Sequence, residues 1–168
     1  MIKRATIVGL IGVLSLLSAA QAEDKDADAE LEIGGVAQWG LPGGGASYGP
    51  SVALEFTPIP HWLEVEVGVG PQFGGGRTVW DTEFVLKKPF TLSDTVEFMI
   101  GVGPEWLHPV GGGKNADSAG GEALLDFQFW ASPEHKFGWF IEPSYGYDFG
   151  RGHEQDLGVT VGVLIAIP

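Results

Sequence analysis

The chain has 168 residues, no cysteine, 27 glycines and a formal net charge of −13. That length suits one domain. The lack of cysteine excludes disulfides and thiolate chemistry, and the acidity argues against nucleic acid as a partner, because affinity for phosphate comes from Lys and Arg. Glycine at this level also disfavours a helical fold.

In chain order, residues 1–22 read as a cleaved signal peptide. Lys3 and Arg4 precede an apolar stretch, Ala5 to Ala20, and Ala20-Gln21-Ala22 forms a small-x-small cleavage site. The stretch falls short of the ~20 residues a spanning helix needs. Cleavage leaves 146 residues and removes two bases and no acid, so the charge moves from −13 to −15. Residues 23–30, EDKDADAE, read as a solvated, disordered acidic tail.

From residue 31 to residue 168 the pattern has period two, which marks strands with one apolar and one polar face. The run 63–70, LEVEVGVG, is one example, and 95–103, TVEFMIGVG, is another. Eight strands are expected at 30–41, 46–57, 61–71, 77–88, 94–107, 121–132, 136–149 and 156–167, each near the ~9–11 residues of a membrane-spanning strand. Their connections alternate in chemistry. Pro58-Ile59-Pro60, Lys88 to Ser93 and Ser132 to His135 are Pro-bearing and polar, and the others are built on Gly43–45, Gly74–76, Gly111–113 and Gly150-Arg151-Gly152. Such alternation is what an up-and-down meander produces. Gly68-Val69-Gly70-Pro71 recurs as Gly101-Val102-Gly103-Pro104. Proline lacks a ladder donor, which predicts Pro71 and Pro104 near one rim and a bulge at Pro143.

Parity separates two faces. Ile33, Val52, Val69, Trp80, Phe84, Ile100, Leu125, Ile141 and Val161 share one. The other holds Glu32, Glu55, Glu64, Glu66, Asp81, Glu83, Glu97, Glu105, Glu122, Asp126, Glu142 and Asp148, with only Arg77 and Lys87 as bases. A transmembrane barrel with a polar lumen fits this pattern. So does a soluble barrel with an apolar cavity. The glycines favour the first. Gly34, Gly68, Gly70, Gly101, Gly103, Gly146, Gly158 and Gly162 lie with the acids, and a crowded lumen benefits from glycine where a solvated face does not. Trp39, Trp106, Trp139, Tyr145 and Tyr147 have the apolar parity and sit toward strand ends, as interfacial girdles do.

The expected fold is thus all-β, an up-and-down antiparallel transmembrane β-barrel of about eight strands. With its signal, short turns, glycine-rich loops and strands such as Tyr145-Gly146-Tyr147-Asp148-Phe149, the chain resembles the small outer-membrane barrels of the OmpA transmembrane domain, OmpX and OmpW type. It departs from them in ending Leu164-Ile165-Ala166-Ile167-Pro168, without a terminal aromatic. The resemblance implies a Gram-negative outer-membrane location. It implies an integral, monomeric, non-enzymatic barrel with a structural or interaction role in the envelope and a closed acidic lumen. Its implied partners are membrane lipid, lipopolysaccharide and the barrel-assembly machinery. The Pro-bearing turns would face the periplasm.

No cofactor or catalytic residue is expected. A hard cation such as Ca²⁺ has candidate ligands in Glu64, Glu66, Glu97, Glu122 and Glu142, although no ligand-spacing motif supports them and a hydrated polar filling is the plainer reading. Twelve lumenal carboxylates against two bases must also use solvated rims or share protons. The alternatives are a lipid A-modifying enzyme and a soluble periplasmic ligand-binding barrel. For the enzyme, His153 and Ser144 could approach near the outer rim, but nothing in their spacing demands it. His108, Asp117, His153, Glu154 and Asp156 form a weak rim set for a transition metal, and Lys114 and Arg151 are candidate contacts for lipopolysaccharide phosphate.

Overall fold

The structure is a computed structural model that describes residues 29–111, 116–150 and 152–167. Its eight strands are β1 (Ala29–Leu41), β2 (Ala46–Ile59), β3 (Leu63–Gly74), β4 (Arg77–Ser93), β5 (Val96–Val110), β6 (Ser118–Trp130), β7 (Phe137–Asp148) and β8 (Gln155–Ile167). Each pairs antiparallel with the next, and β1 pairs with β8, so the sheet closes on itself. Followed round all eight ladders, the register returns to β1 displaced by about ten residues, which tilts the strands by ~40°. A 12-residue strand at that tilt rises roughly 30 Å, the depth of a bilayer's hydrocarbon core.

Several sequence expectations are refined. The strands run 12 to 17 residues, longer than the minimum that crosses a bilayer. β1 begins at Ala29, so the last two residues of the expected tail are in the barrel. Glu30 continues the inward parity of Glu32 and pairs with Glu55 and Ala166. The signal peptide and the rest of the tail lie outside the described residues. Lys88 to Ser93 is strand rather than turn, and the chain reverses at Asp94-Thr95. Pro89 is tolerated there because β3 begins at Leu63 and its pairing with β4 ends at Glu64–Lys87, which leaves no ladder to break on that side.

Pro58 lies in β2 where the β2/β3 register shifts by one residue between Phe56 and Ile59, so Pro58-Ile59 is strand end rather than turn. Pro50, Pro71, Pro104 and Pro143 interrupt ladders without shifting them. Pro50 and Pro71 fall opposite each other in the β2/β3 gap between Tyr48–Phe73 and Val52–Val69. Pro143 falls in the β6/β7 gap between Leu124–Ser144 and Phe127–Ile141. The register is the same on both sides, so no bulge forms there. Pro104 breaks the β4/β5 pairing well inside β5, not at a rim beside Pro71. The repeated Gly-Pro has one use at both sites. A Cβ on Gly70 would strike the Pro50 carbonyl, and one on Gly103 the Phe84 carbonyl. Glycine therefore lets the backbones close where proline offers no donor.

Side chains of the apolar parity face outward. Ile33, Val52, Phe84, Val102, Ile141 and Val161 are all exposed. Aromatics bracket this belt, with Trp39, Tyr48, Trp80 and Trp106 toward the glycine-loop end. Toward the other, Phe90 stacks on Phe98, Phe127 packs tilted against Phe98, and Phe129 stacks on Trp139. Water would not support so continuous an apolar exterior, so the barrel is of the inside-out, membrane-spanning kind. Gly75 and Gly76, both at positive φ, make the tight β3–β4 hairpin.

Candidate functional site

The lumen is filled in tiers. At mid-height the shear brings six charged residues from six strands to one level, with Lys87 in their centre. Its Nζ lies 2.9 Å from Glu55, 2.9 Å from Asp126, 3.2 Å from Glu142 and 3.9 Å from Glu32, and it also contacts Glu66. Lys87 is 1% exposed and Asp126 0%. Gln128 donates from Nε2 to Glu55 and to Asp126, both at 3.2 Å. One ammonium thus faces five carboxylates, and an ion pair at ~3 Å is worth about 5 kcal/mol at an effective dielectric of 20 before desolvation is subtracted. Carboxylate oxygens of Glu32, Glu55 and Asp126 lie within 4.8 Å of one another, a spacing that would suit a metal. The Lys87 ammonium already occupies that place.

Above this ring, Val85 and Leu124, both buried, converge over Gly101 as an apolar septum. Below it, Trp130 and Leu164 form an apolar floor, continued upward beside Glu32 by Phe140, whose ring lies against Gly34 and Gly162. His135, at φ 46°, stacks on Trp130 at 4.7 Å and donates from Nε2 to the Asp94 carbonyl at 2.9 Å, which covers the floor from outside.

The upper lumen holds Asp81, Glu83, Glu105, Glu122 and Asp156. Cross-strand glycines make room for these acids. Glu83 pairs with Gly68 and Glu105 with Gly120, and a Cβ on either glycine would collide with the carboxylate lying over it. A void of about 20 Å³ lies among Asp81, Glu83 and Glu122. It opens toward a mouth of about 520 Å³ framed by Gly44, Gly45, Gly74, Gly75 and Arg77.

The five carboxylates proposed as cation ligands therefore separate. Glu66 and Glu142 join Lys87, Glu64 and Glu97 lie nearer the floor, and Glu122 lies above the septum. Parity placed Glu32, Glu55 and Asp126 inside but did not group them. The signal that would have done so is Lys87, one of only two bases of that parity.

The rim candidates divide likewise. His108 Nδ1 lies 2.6 Å from Asp117 Oδ1, both exposed. His153, at φ 49°, hydrogen-bonds the Tyr147 hydroxyl at 3.1 Å, while Ser144 turns into the lumen over Gly158. Ser144 and His153 are thus not brought together as nucleophile and base. Asp156 lies over Gly146. Lys114 and Arg151 lie outside the described residues.

No protein-family model and no curated protein sequence matches the chain. Solved structures do match it. Neisserial surface protein A superposes with a TM-score of 0.64 at 12% identity, covering 83% of this chain and 96% of that one. The N-terminal β-barrel domain of Pseudomonas aeruginosa OprF gives 0.59 at 12% identity, over 84% of this chain and all of that one. Ail, the attachment invasion locus protein of Yersinia pestis, gives 0.55 at 13% identity, over 84% and 99%. The chain has the fold of the small outer-membrane β-barrels. At these identities the likeness extends to the fold and no further.

Proposed function

We propose that this protein is an integral outer-membrane barrel with a structural or interaction role in the cell envelope, and that its lumen conducts no solute. The reading rests chiefly on the buried Lys87 ring between the Val85–Leu124 septum and the Trp130–Leu164 floor. A conducting pore needs a continuous aqueous path, whereas eight-stranded barrels are filled by their side chains. The apolar belt with its aromatic girdles supports the membrane location. Lipid and lipopolysaccharide are then the standing partners, with the assembly machinery acting during biogenesis. Ser144 and His153 do not meet, which favours a non-enzymatic role over lipid A modification.

Two measurements test this. The protein should fractionate with the outer membrane and migrate faster in an unboiled SDS gel than after boiling. Single-channel recording in planar bilayers should show no steady conductance. Recovery in the soluble periplasm would refute the membrane reading, and a stable open channel would refute the closed lumen.

A further inference from the structure

We propose that the outer mouth of the barrel binds a short zwitterionic peptide, whose carboxylate meets Arg77 and whose ammonium meets Asp156 and Glu154. The mouth is a cavity of about 520 Å³, within the range of about 300–1,000 Å³ usual for small-molecule sites. Its charged groups stand on opposite walls. Arg77 opens β4, and Asp156 is near the start of β8 with Glu154 just before the strand. In a closed ring of eight strands, β4 and β8 are half a turn apart. Arg77 shares the inward parity of Lys87 on β4, and Asp156 lies over the inward-facing Gly146.

Arg77 makes no ion pair among the described residues, although Glu154 and Asp156 line the same cavity. The barrel wall holds the two signs apart, so neither neutralises the other. A simple cation would be repelled by Arg77 and a simple anion by the acids, whereas a zwitterion complements both walls. Gln72, at the base of the mouth, adds an independent sign of a ligand. Its side chain is 6% exposed, yet its Oε1 has no hydrogen-bond partner among the described residues. Gln72 lines both the mouth and the void beneath it, so the lone acceptor lies where the cavity narrows. Such an oxygen calls for an N–H group, and a peptide brings several, on its ammonium and its amides. The Gln38 amide beside it is already engaged, with the Ser47 hydroxyl at 3.4 Å and with Asp81. Val79 and Leu107 give the same cavity an apolar wall for a small side chain. The Val85–Leu124 septum closes the lumen below, so a bound peptide stays at the mouth.

The test uses the full chain refolded in non-ionic detergent micelles, with amide shifts followed by NMR as peptide is added. The probes are trialanine, its N-acetyl form, which lacks the ammonium, and its C-terminal amide, which lacks the carboxylate. We expect one site for trialanine with a dissociation constant of about 1 mM. Either capped peptide should bind about three- to tenfold more weakly. Arg77→Gln should weaken trialanine to the level of its amide and bind the two equally. Glu154→Gln combined with Asp156→Asn should likewise erase the preference for the free ammonium. Gln72→Ala, which leaves every charge in place, should weaken trialanine, and Glu97→Gln, near the floor, should bind as the wild type does. Folding of each variant is read from its unboiled gel mobility, and Arg77→Gln, at an exposed rim position, decides the matter if the others do not fold. Absence of trialanine binding by the wild type would overturn the proposal. So would equal affinity for the three peptides, or a preference for the free carboxylate that survives Arg77→Gln.

Discussion

Replacing Lys87 by Met tests whether the lumenal ring is held by its ammonium. Met keeps most of the side-chain length over Gly101 and removes only the charge and its donors. Five carboxylates then face one another, with Glu55 and Asp126 each losing a contact at 2.9 Å and Glu142 one at 3.2 Å. Removing one partner of a buried ion pair costs about 3–5 kcal/mol. The upper part of that range applies here, because Lys87 is 1% exposed and the acids it leaves behind are buried too. Reversible urea unfolding in micelles at pH 7.5 should therefore show a drop of about 4 kcal/mol against wild type. The deficit should shrink near pH 4, where protonation removes the repulsion that the lysine had offset. Adding Asp126→Asn to Lys87→Met should restore part of the loss at pH 7.5, since it deletes one of the stranded charges. A Lys87→Met protein within about 1 kcal/mol of wild type at pH 7.5 would refute the reasoning. It would mean that the acids share protons well enough to need no counter-charge.

Other perturbations follow from the same geometry. Gly68→Val puts a side chain where the Glu83 carboxylate lies. It should lower stability by about 1–3 kcal/mol in urea titrations, with recovery when Glu83→Ala is added. Val161→Arg on the lipid face at mid-barrel should cost about 2–4 kcal/mol in lipid vesicles, against about 0–1 for Leu92→Arg at the end of β4. In the exposed turn after β6, a hydrogen bond from the Ser132 hydroxyl holds the Glu134 carboxyl below the usual carboxylate range. A carboxylate depressed in the folded state contributes stability above its ordinary pKa and loses it as pH falls through the depressed value. Carbon-13 NMR titration of Ser132→Ala should show Glu134 returning upward toward the ordinary range.

Strand number, facing and closure were legible because each depends on period-two alternation, which a single sequence displays. Ile33, Val52 and Val161 face outward and Glu66, Lys87 and Asp126 inward, as parity requires. The turn after β4 was misplaced because Pro89 reads as a strand end, whereas its tolerance depends on where β3 stops, a fact of pairing. The bulge expected at Pro143 failed for a related reason. A missing donor removes a bond but does not force an extra residue into the strand. The candidate site was only half legible. Parity says which residues enter the lumen, but height within it depends on shear, the accumulated offset of eight ladders. Glu64 and Glu66 are neighbours in sequence and both inside, yet only Glu66 contacts Lys87. Glu32 and Asp126, far apart in sequence, lie within a few ångströms of the same ammonium.

That geometry also gives the composition a single cause. An eight-stranded lumen is too narrow for long side chains on every inward position. An acid on one strand therefore requires a neighbour that yields space, and glycine yields most. Glu83 lies over Gly68, Glu105 over Gly120 and Asp156 over Gly146, and Lys87 is paired with Gly101. Many glycines and many lumenal acids are then two sides of one packing solution. Each such acid can be removed together with the need for its glycine, so the barrel does not require the acids for closure. They lower stability through mutual repulsion unless a cation offsets them. The middle tier has Lys87 for that purpose. The upper tier, facing the outer mouth with unpartnered oxygens on Gln72, Asp81 and Glu122, has no equivalent among the described residues. At that level hydrogen bonds relieve the crowding instead, from Gln38 to Asp81 and between Glu83 and Glu122.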